Sequence, residues 1–353
     1  MSTLMIMAGG TGGHVYPAMA VADHLHAQGW KIVWLATEGG MENRLIAGKP
    51  YDVAVIRMRG VRGKGLARKL AAPFQVLYAC LQSFTAMRRH RPDVVLGMGG
   101  FAAFPGGLVA WMMRRPLVIH EQNSVAGLTN RVLSRFATHV LAAFPSAFGE
   151  LATLVGNPVR AELAAEADPE ARFAGRSGPL RVLVVGGSLG AQALNETVPK
   201  ALALLPEASR PVVVHQAGEK HIDELAANYR QAGVQADTKA FIHNMAEQYG
   251  WADLVICRAG ALTVAELAAV GVASVLVPFP HAVDDHQTGN ARYLADHGAA
   301  WLVQQRELTA EGLADMLRHA TREMLLGMAV RARALGKPEA TETVADICGG
   351  LAA

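Results

Sequence analysis

The residue types best suited to chemistry lie in the second half of the chain, between residues 254 and 287. An apolar run at 254–256 predicts a buried strand, and the turn after it leads into a predicted helix over 261–270. The free N–H groups at the start of such a helix favour an anion such as a diphosphate. Glu266 lies one turn further along, where a phosphate would repel it, so the use that fits it is to accept hydrogen bonds from sugar hydroxyls. This combination indicates a nucleotide site.

The helix over 261–270 and the strand predicted after it determine where the polar residues 284–287 lie. Three residues of the helix are predicted to face inward: Leu262, Ala265 and Leu267. A second buried strand is predicted at 274–277, and the polar run 284–287 follows it at the same edge of a parallel sheet. We expect this run to read the hydroxyls of a second sugar. The competing interpretation is an ordinary helix on a sheet with a solvated Glu266, because sequences that resemble phosphate loops are common.

A glycine loop follows the first predicted strand of the chain. The apolar run 4–8 leads into Gly9-Gly10-Thr11-Gly12-Gly13-His14, and a helix is predicted from about Pro17. The spacing is not that of GxGxxG with a distant acidic residue, which disfavours a nicotinamide dinucleotide. His14 is the side chain of this loop suited to proton transfer, although a helix-capping loop with an incidental histidine is the alternative.

The first half continues as alternating strands, helices and loops. Further strands are predicted at 31–36, 51–56, 93–96, 117–119 and 140–142, the last of them taken as the final strand of this half. A second glycine loop runs over 97–101, and His120-Glu121-Gln122-Asn123 follows the strand at 117–119. The loops at 9–14, 97–101 and 120–123 thus lie at the same edge of one sheet. Three such loops support a ligand-binding site more strongly than one.

The same pattern restarts in the second half, after a predicted crossover at 156–160. A strand at 180–185 leads into a glycine loop at 186–191 and a helix. A stripe in the last helices is interpreted as core: Met316, Leu317, Met324, Leu325 and Met328. The fold class is therefore α/β, with two doubly wound parallel-sheet domains of the Rossmann type facing a cleft. The predicted domains are 1–157 and 158–334, with the final helix, about 335–353, packing back on the first domain.

Composition and charge narrow the class of protein. The 353 residues suffice for two domains, and three scattered cysteines indicate neither a disulfide framework nor a zinc site, which fits a reducing compartment. We expect no signal peptide and no membrane-spanning segment. Residues 1–157 carry 16 Lys and Arg against 7 Asp and Glu, a net +9, whereas the remainder carries −6. The first half is thus expected to meet an anionic partner or surface.

A basic loop and an apolar stripe follow one another in the first half. Residues 57–69 combine cations with glycines, and Arg88, Arg89 and Arg91 end the helix after them. Between these cations, apolar residues recur at helical spacing: Phe74, Leu77, Tyr78, Leu81 and Phe84. Two interpretations weigh about equally, namely core packing against a sheet and docking on anionic lipid headgroups.

In order and spacing, these motifs closely resemble those of the MurG family of glycosyltransferase family 28, which are peripheral membrane enzymes of the GT-B fold. The matching segments are 9–17, 97–101, 120–123 with Gly127 and Asn130, 156–160, 186–191, 258–263 with Glu266, and 285–287 with Asn290. The resemblance covers nearly the whole chain. It implies transfer of N-acetylglucosamine from UDP-N-acetylglucosamine to the 4-hydroxyl of the muramyl sugar of lipid I, with inversion, giving lipid II for peptidoglycan synthesis.

The resemblance also implies a donor site, mainly on the second domain. Uracil would lie against the backbone of Ile242, the ribose hydroxyls on Glu266, and the diphosphate between Ser188 and the start of the 261–270 helix. Gln287 and Asn123 would read the sugar. The other substrate-binding residues implied are Thr11, Gly12, Gly13, Arg160, Ala261, Leu262, Thr263, Val264 and Ala265.

The implied reaction needs a base for the acceptor hydroxyl and stabilisation of the departing diphosphate. His14 is the candidate base, and Glu121 is a second catalytic candidate near the acceptor. Helix N-termini and loop amides can stabilise the leaving group, so no cofactor is required. The pair Asp284 and Asp285 could hold Mg²⁺. However, one adjacent pair of carboxylates is weak evidence for a metal site, so none is indicated.

For partners and place in the cell, the resemblance implies lipid I, an anionic membrane surface and the cytoplasmic face of the bacterial inner membrane. Proteins of cell-wall synthesis are candidate partners, and nucleic acid is not expected. One loop departs from the family, which commonly has a serine and a glycine where this chain has Ala103 and Phe104. A hydroxyl contact to the acceptor is therefore in doubt there, and Phe104 could narrow the loop.

Two other functions compete with this one. A UDP-N-acetylglucosamine 2-epimerase shares the donor site and the fold but needs no lipid-facing helix, so the apolar stripe at 74–84 weighs against it. A non-enzymatic nucleotide-sugar sensor explains Glu266 and Gln287 but gives His14 no role.

Overall fold

The computed structural model of the protein describes residues 1–58, 66–187 and 190–352. Contacts between Cα atoms divide the chain into two compact units. Unit 1 is Met1–Arg160 together with Pro338–Ala353, and unit 2 is Ala161–Lys337. The chain therefore leaves unit 1 at Arg160 and returns to it for its last helix.

Thirteen strands are found in the described residues, and they form one parallel sheet in each unit. They are β1 Thr3–Met7, β2 Lys31–Thr37, β3 Asp52–Ile56, β4 Val94–Gly97, β5 Leu117–Glu121, β6 His139–Ala142, β7 Thr153–Leu154, β8 Arg181–Val185, β9 Val212–Gln216, β10 Asp237–Lys239, β11 Leu254–Cys257, β12 Ser274–Leu276 and β13 Ala300–Leu302. The order is β3-β2-β1-β4-β5-β6-β7 in unit 1 and β10-β9-β8-β11-β12-β13 in unit 2. Most strands are buried apolar runs, as expected for parallel sheets covered on both faces.

Fifteen α-helices connect and cover these strands in the described residues. They are α1 Gly12–Ala27, α2 Glu42–Leu45, α3 Leu66–His90, α4 Ala103–Met112, α5 Leu128–Leu133, α6 Ala161–Ala164, α7 Pro169–Phe173, α8 Gln192–Ala203, α9 Ile222–Ala232, α10 Met245–Trp251, α11 Ala261–Val270, α12 His286–Ala295, α13 Ala310–His319, α14 Arg322–Leu335 and α15 Ala340–Gly350. The last, α15, packs on α1 and contributes Val344, Ala345 and Cys348 to the core of unit 1.

Each sheet has one point at which the strand order reverses. In unit 1 it lies between β1 and β4, and in unit 2 between β8 and β11. Registers such as Met5 with Val95 and Val255 with Leu183 show that the strands at both points are parallel and adjacent. Because α/β sheets bind ligands outside the carboxyl ends of their strands at this point, the fold brings the loops after β1 and β4, and those after β8 and β11, to the two expected places.

Several predicted details differ from the structure. The helix after the first glycine loop begins at Gly12 rather than near Pro17, which lies inside it. A short strand, β7, follows the one predicted to be last in the first half. On α11, Leu262 and Ala265 are only partly buried, and Val264 and Ala268 are buried beside Leu267. That helix is apolar on most sides, so its pattern could not select a face.

The two predicted apolar stripes, in the last helices and on α3, differ in how far they are buried. Met324 of the predicted core stripe is exposed, whereas Leu317, Leu325 and Met328 are buried. On α3 all five stripe residues are exposed, from 42% for Phe84 to 76% for Phe74. The basic loop before them lies partly outside the described residues, at 59–65. In the part of the chain that the structure describes, none of the helices is both long enough and apolar enough to cross a bilayer.

Candidate active site

The first glycine loop joins β1 to α1 at the reversal point of unit 1. Gly12 and Gly13 are the first two residues of α1, so the helix itself provides no acceptor for their N–H groups. Thr11 precedes them in extended conformation and is exposed. The three predicted binding residues of this loop therefore form a helix N-terminus, with His14 on its first turn.

The imidazole of His14 is oriented by the loop that carries it. Its Nδ1 lies 3.0 Å from the carbonyl oxygen of Gly9 and 3.4 Å from Oγ1 of Thr11. A carbonyl oxygen can only accept a hydrogen bond, so Nδ1 bears the proton in the neutral ring. Nε2 is then the unprotonated nitrogen, which is the form a general base requires.

Two glycines of the second loop, at 97–101, lie against the first loop. A Cβ atom on Gly99 would be 3.1 Å from Nε2 of His14, so a side chain there would crowd the basic nitrogen. A Cβ on Gly100 would be 2.4 Å from the Gly9 oxygen. Both have positive φ, near +90°, which glycine adopts without strain. After this loop, Ala103 is buried and Phe104 packs partly buried on the core.

Glu121 lies at the end of β5 and is almost fully buried. Its Oε1 accepts from the backbone N–H of Asn123 at 3.0 Å and from the Asn123 side chain at 3.3 Å. Its Oε2 accepts from the N–H of Gly127 at 3.0 Å and from the Asn130 side chain at 2.9 Å. The carboxyl group therefore organises the loop between β5 and α5, and Asn123 is presented from that loop.

His120 precedes Glu121 and is fully buried. Its Nε2 donates to the carbonyl of Gly156 at 2.8 Å, and its Nδ1 accepts from the Gln122 side chain at 3.1 Å. Burial lowers the pKa of His120 to about 4, so the ring is neutral at physiological pH. This histidine ties β5 to the 156–160 segment, which ends at the predicted binding residue Arg160.

In unit 2 the glycine loop after β8 is held by a buried amide. The side chain of Gln216, at the end of β9, accepts from the N–H of Gly187 at 3.1 Å and donates to its carbonyl at 3.0 Å. It also donates to the carbonyl of Ala240 at 3.1 Å, two residues before the buried Ile242. Ser188, predicted to contact the diphosphate, lies outside the described residues.

Helix α11 begins at Ala261, directly after the N-cap Gly260, beside the glycine loop of β8. Its first residues are the predicted phosphate-binding segment. Glu266 is only 6% exposed, and the hydroxyl of Tyr249 donates to its Oε2 at 3.2 Å. Burial and the nearby Glu266 carboxyl group raise the pKa of Cys257, which precedes this turn, to about 12, so the thiol is unreactive.

Gln287 lies in the first turn of α12, which follows β12. Its side-chain oxygen accepts from the N–H of Phe279 at 2.9 Å, which leaves the amide nitrogen as the group that can donate to a sugar. Asp285 accepts from the Thr288 hydroxyl at 2.8 Å. No cluster of three or more metal-ligating His, Cys, Asp or Glu side chains occurs in the described residues.

Sequence reasoning missed the residues that support these loops. Gln216 and Tyr249 were not identified, and neither was Glu42, whose carboxyl group contacts Thr37 and Gly10. A polar residue directly after an apolar strand was the signal available for Gln216. For Glu42 and Tyr249 no spacing in the sequence gives such a signal.

Comparison with known proteins agrees with this arrangement. Residues 4–142 match the glycosyltransferase family 28 N-terminal domain, and residues 181–344 match the family's C-terminal domain. The chain belongs to glycosyltransferase family 28. This glycosyltransferase is 61% identical over 352 residues to a protein of Azoarcus sp., covering all of this chain and 99% of that protein. It is 60% identical over 354 residues to one of Burkholderia thailandensis, covering 99% and 96%.

Both relatives are named UDP-N-acetylglucosamine–N-acetylmuramyl-(pentapeptide) pyrophosphoryl-undecaprenol N-acetylglucosamine transferase. Among solved structures, the family 28 glycosyltransferase is similar to the crystal structure of Acinetobacter baumannii MurG. That match has a TM-score of 0.89 and 45% identity, covering 99% of this chain and all of the other. The predicted membership of the MurG family and the predicted GT-B fold are confirmed.

Proposed function

We propose that this enzyme transfers N-acetylglucosamine from UDP-N-acetylglucosamine to the 4-hydroxyl of the muramyl sugar of lipid I, with inversion, giving lipid II. The observation that carries the proposal is the near-complete match, at about 60% identity, to transferases named for this donor and acceptor. The geometry adds two further supports. At the reversal point of unit 1, His14 is oriented so that it can act as a base, and at that of unit 2 the N-terminus of α11 suits a phosphate.

The donor binds on unit 2. Its diphosphate lies at the start of α11, where the N–H groups of the first turn and the helix dipole favour negative charge. The ribose hydroxyls donate to Glu266, which Tyr249 holds in place. The uracil lies against the backbone at Ile242, in the segment that Gln216 fixes through Ala240. The same amides stabilise the charge that develops on departing UDP.

Proton removal falls to His14 in unit 1. With Nδ1 occupied by the Gly9 carbonyl, Nε2 takes the proton of the acceptor hydroxyl as the new C–O bond forms and the bond from the sugar to UDP breaks. UDP leaves with the electron pair of that bond. Gly99, which has no side chain, leaves Nε2 accessible to the acceptor.

Glu121 serves the sugar-reading side of the site through Asn123. Its carboxyl group already accepts three hydrogen bonds from the loop after β5 and one from Asn130 on α5, and it is almost fully buried. A group so engaged is better suited to orient a neighbour than to take a proton, so we assign it a positioning role. Asn123 and Gln287 then distinguish the acetamido sugar from other hexoses.

The exposed stripe on α3 is the surface that meets the membrane. Five apolar side chains exposed to solvent do not contribute to a core, which favours the lipid-docking interpretation of the stripe. Arg88 lies over the ring of Phe84 at 5.9 Å, and Arg89 follows it, so cations border the apolar face. Such a face suits anionic headgroups at the cytoplasmic side of the inner membrane.

Turnover of a soluble lipid I analogue with UDP-N-acetylglucosamine tests the proposal. We expect a β-linked disaccharide product in the presence of chelator, with UDP-glucose and UDP-N-acetylgalactosamine as poor donors. Epimerisation of the donor without acceptor would instead indicate a 2-epimerase. Donor binding with no product under any condition would indicate a sensor.

A further inference from the structure

Glu42 is a fully buried acidic residue behind the first glycine loop, and neither the acceptor nor the donor can reach it. It opens the short helix α2, just after β2. Its Oε1 accepts from the backbone N–H of Thr37 at 2.8 Å and from the Thr37 hydroxyl at 2.6 Å. Its Oε2 accepts from the N–H of Gly10 at 3.4 Å. One carboxyl group thus joins the end of β2 to the loop after β1.

The contact between Glu42 and the loop is close as well as polar. A Cβ atom on Gly9 would lie 2.9 Å from the carboxyl carbon and both oxygens of Glu42. The carboxyl group therefore packs directly on the peptide that joins Gly9 to Gly10. On Gly40 a Cβ atom would come within 2.2 Å of the same group, so glycines line it on two sides.

The peptide that Glu42 supports is the one that orients the imidazole of His14. The carbonyl of Gly9 accepts from Nδ1 of His14, and the amide of Gly10 donates to Glu42. These two groups belong to the same peptide unit, which is planar. Any rotation of that plane moves the acceptor away from Nδ1 as it moves the donor away from the carboxyl group.

We propose that Glu42 is a positioning residue for the base, which acts through the Gly9–Gly10 peptide to keep His14 in the tautomer with Nε2 unprotonated. The inference rests on the proposed role of His14. It gives a function to a carboxyl group that touches no reacting atom. It also explains why a buried acid lies against a glycine loop, where hydrogen bonds to the loop compensate for the loss of its hydration.

Glu42→Gln is the direct test, since the amide keeps the shape but places a donor opposite the Thr37 donors or the Gly10 N–H. We expect kcat to fall at least about tenfold, while the affinity for UDP, measured by calorimetry, stays unchanged. Thr37→Val removes only the hydroxyl donor, keeps the shape of the side chain and should give a smaller loss of kcat. Glu38→Gln is the matched control, because Glu38 pairs with Arg57 on the surface and does not touch the loop. It should leave kcat unchanged.

A second readout separates positioning from simple stability. In protein labelled with ¹⁵N and ¹³C at histidine, the His14 signals are identified by their absence in His14→Ala. We expect the wild-type ring to show protonated Nδ1, and both Glu42→Gln and Thr37→Val to shift it toward the Nε2–H form. Unchanged His14 signals and unchanged kcat in the two variants, with only a lower melting temperature, would overturn the inference.

The same set of variants distinguishes this inference from the proposed function. Full turnover in His14→Ala would refute the base assignment, and the tautomer signals would still report whether Glu42 orients the ring. Lost turnover in His14→Ala beside unchanged kcat and unchanged signals in Glu42→Gln would refute only the role of Glu42.

Discussion

The two glycine loops of this enzyme follow the first strand of each sheet, and each is supported by a polar side chain that lies at or after the end of the second strand. In unit 1 the support is the carboxyl group of Glu42, which accepts from Gly10. In unit 2 it is the amide of Gln216, which both accepts from and donates to Gly187. The topology is shared, but the charge behind the loop differs.

This difference favours the proposed placement of the donor's diphosphate at the unit 2 loop. A buried carboxyl group behind the unit 1 loop disfavours a phosphate close against Gly9 and Gly10, since like charges repel strongly where water is excluded. A neutral amide carries no such penalty. The unit 2 loop is therefore the better diphosphate site, and the unit 1 loop is better suited to orient a proton-accepting histidine. In the proposed division of roles, two related folds therefore differ in function through the residue behind the glycine loop.

Removal of His14 is the largest effect we expect. His14→Ala deletes the group that accepts the hydroxyl proton, so kcat should fall by about 100-fold or more. Steady-state kinetics with a lipid I analogue measure this. A variant that keeps more than a third of wild-type kcat would show that the base lies elsewhere.

A negative charge introduced behind the unit 2 loop tests whether the neutral amide of Gln216 matters for binding of the diphosphate. Gln216→Glu places a carboxylate opposite the carbonyls of Gly187 and Ala240 and behind the proposed diphosphate site. We expect UDP to bind about tenfold more weakly or worse, equivalent to about 1.4 kcal/mol. Uridine, which carries no phosphate, serves as the control ligand in the same titration. An equal loss for uridine would mean that only the shape of the loop had changed.

Loss of the negative charge at Glu121 should have a smaller effect, which concerns selectivity between sugar donors. In Glu121→Gln the amide nitrogen faces a donor, either the N–H of Gly127 or that of Asn123, so the loop that presents Asn123 shifts. We expect the KM for UDP-N-acetylglucosamine to rise several-fold and the preference over UDP-glucose to narrow. Kinetics with both donors measure this. A loss of kcat alone, restored by added formate in Glu121→Ala, would instead support a direct role in proton transfer.

The last effect concerns stability in acid and not activity or binding. Burial lowers the pKa of His120 to about 4 and that of His215, in unit 2, to about 3, from 6.5. Below pH 6.5 the unfolded chain binds protons that the folded chain does not, so stability is lost as pH falls toward 4. The slope is at most about 1.4 kcal/mol per pH unit for each histidine.

His120→Gln tests this slope because its amide can still donate to Gly156 without titrating. The difference in urea-unfolding free energy between pH 7 and pH 5 should shrink by about 1–2 kcal/mol relative to wild type. His319→Gln, at an exposed helix end, is the control for loss of a histidine that is not buried. An unchanged difference in His120→Gln would mean that the His120 ring binds a proton as readily in the folded protein as in the unfolded chain.

Much of the fold could be predicted because parallel strands buried on both faces appear in the sequence as short apolar runs between glycine turns. The positions of His14, Glu121 and Gln287 were predicted for the same reason, since each lies close to the carboxyl end of such a run. The face of α11 could not be predicted because that helix is apolar on most sides.

The support of the site could not be predicted from the sequence. Glu42 lies 32 residues from Gly10 along the chain, and Tyr249 lies 17 residues from Glu266. Nothing in their spacing marks these pairs, since strand pairing and helix packing create the contacts. The stripe on α3 shows the same limit: helical periodicity identifies an apolar face, and only the fold shows that nothing in the described chain covers it.

The division of roles between the units is tested most directly by calorimetric titration of UDP-N-acetylglucosamine, with chelator present, into wild type, His14→Ala and Glu266→Ala. We predict that His14→Ala binds the donor within about twofold of wild type and that Glu266→Ala binds it at least about tenfold more weakly. Donor affinity lost to the same extent in His14→Ala, or retained in Glu266→Ala, would contradict the assignment of the donor to unit 2.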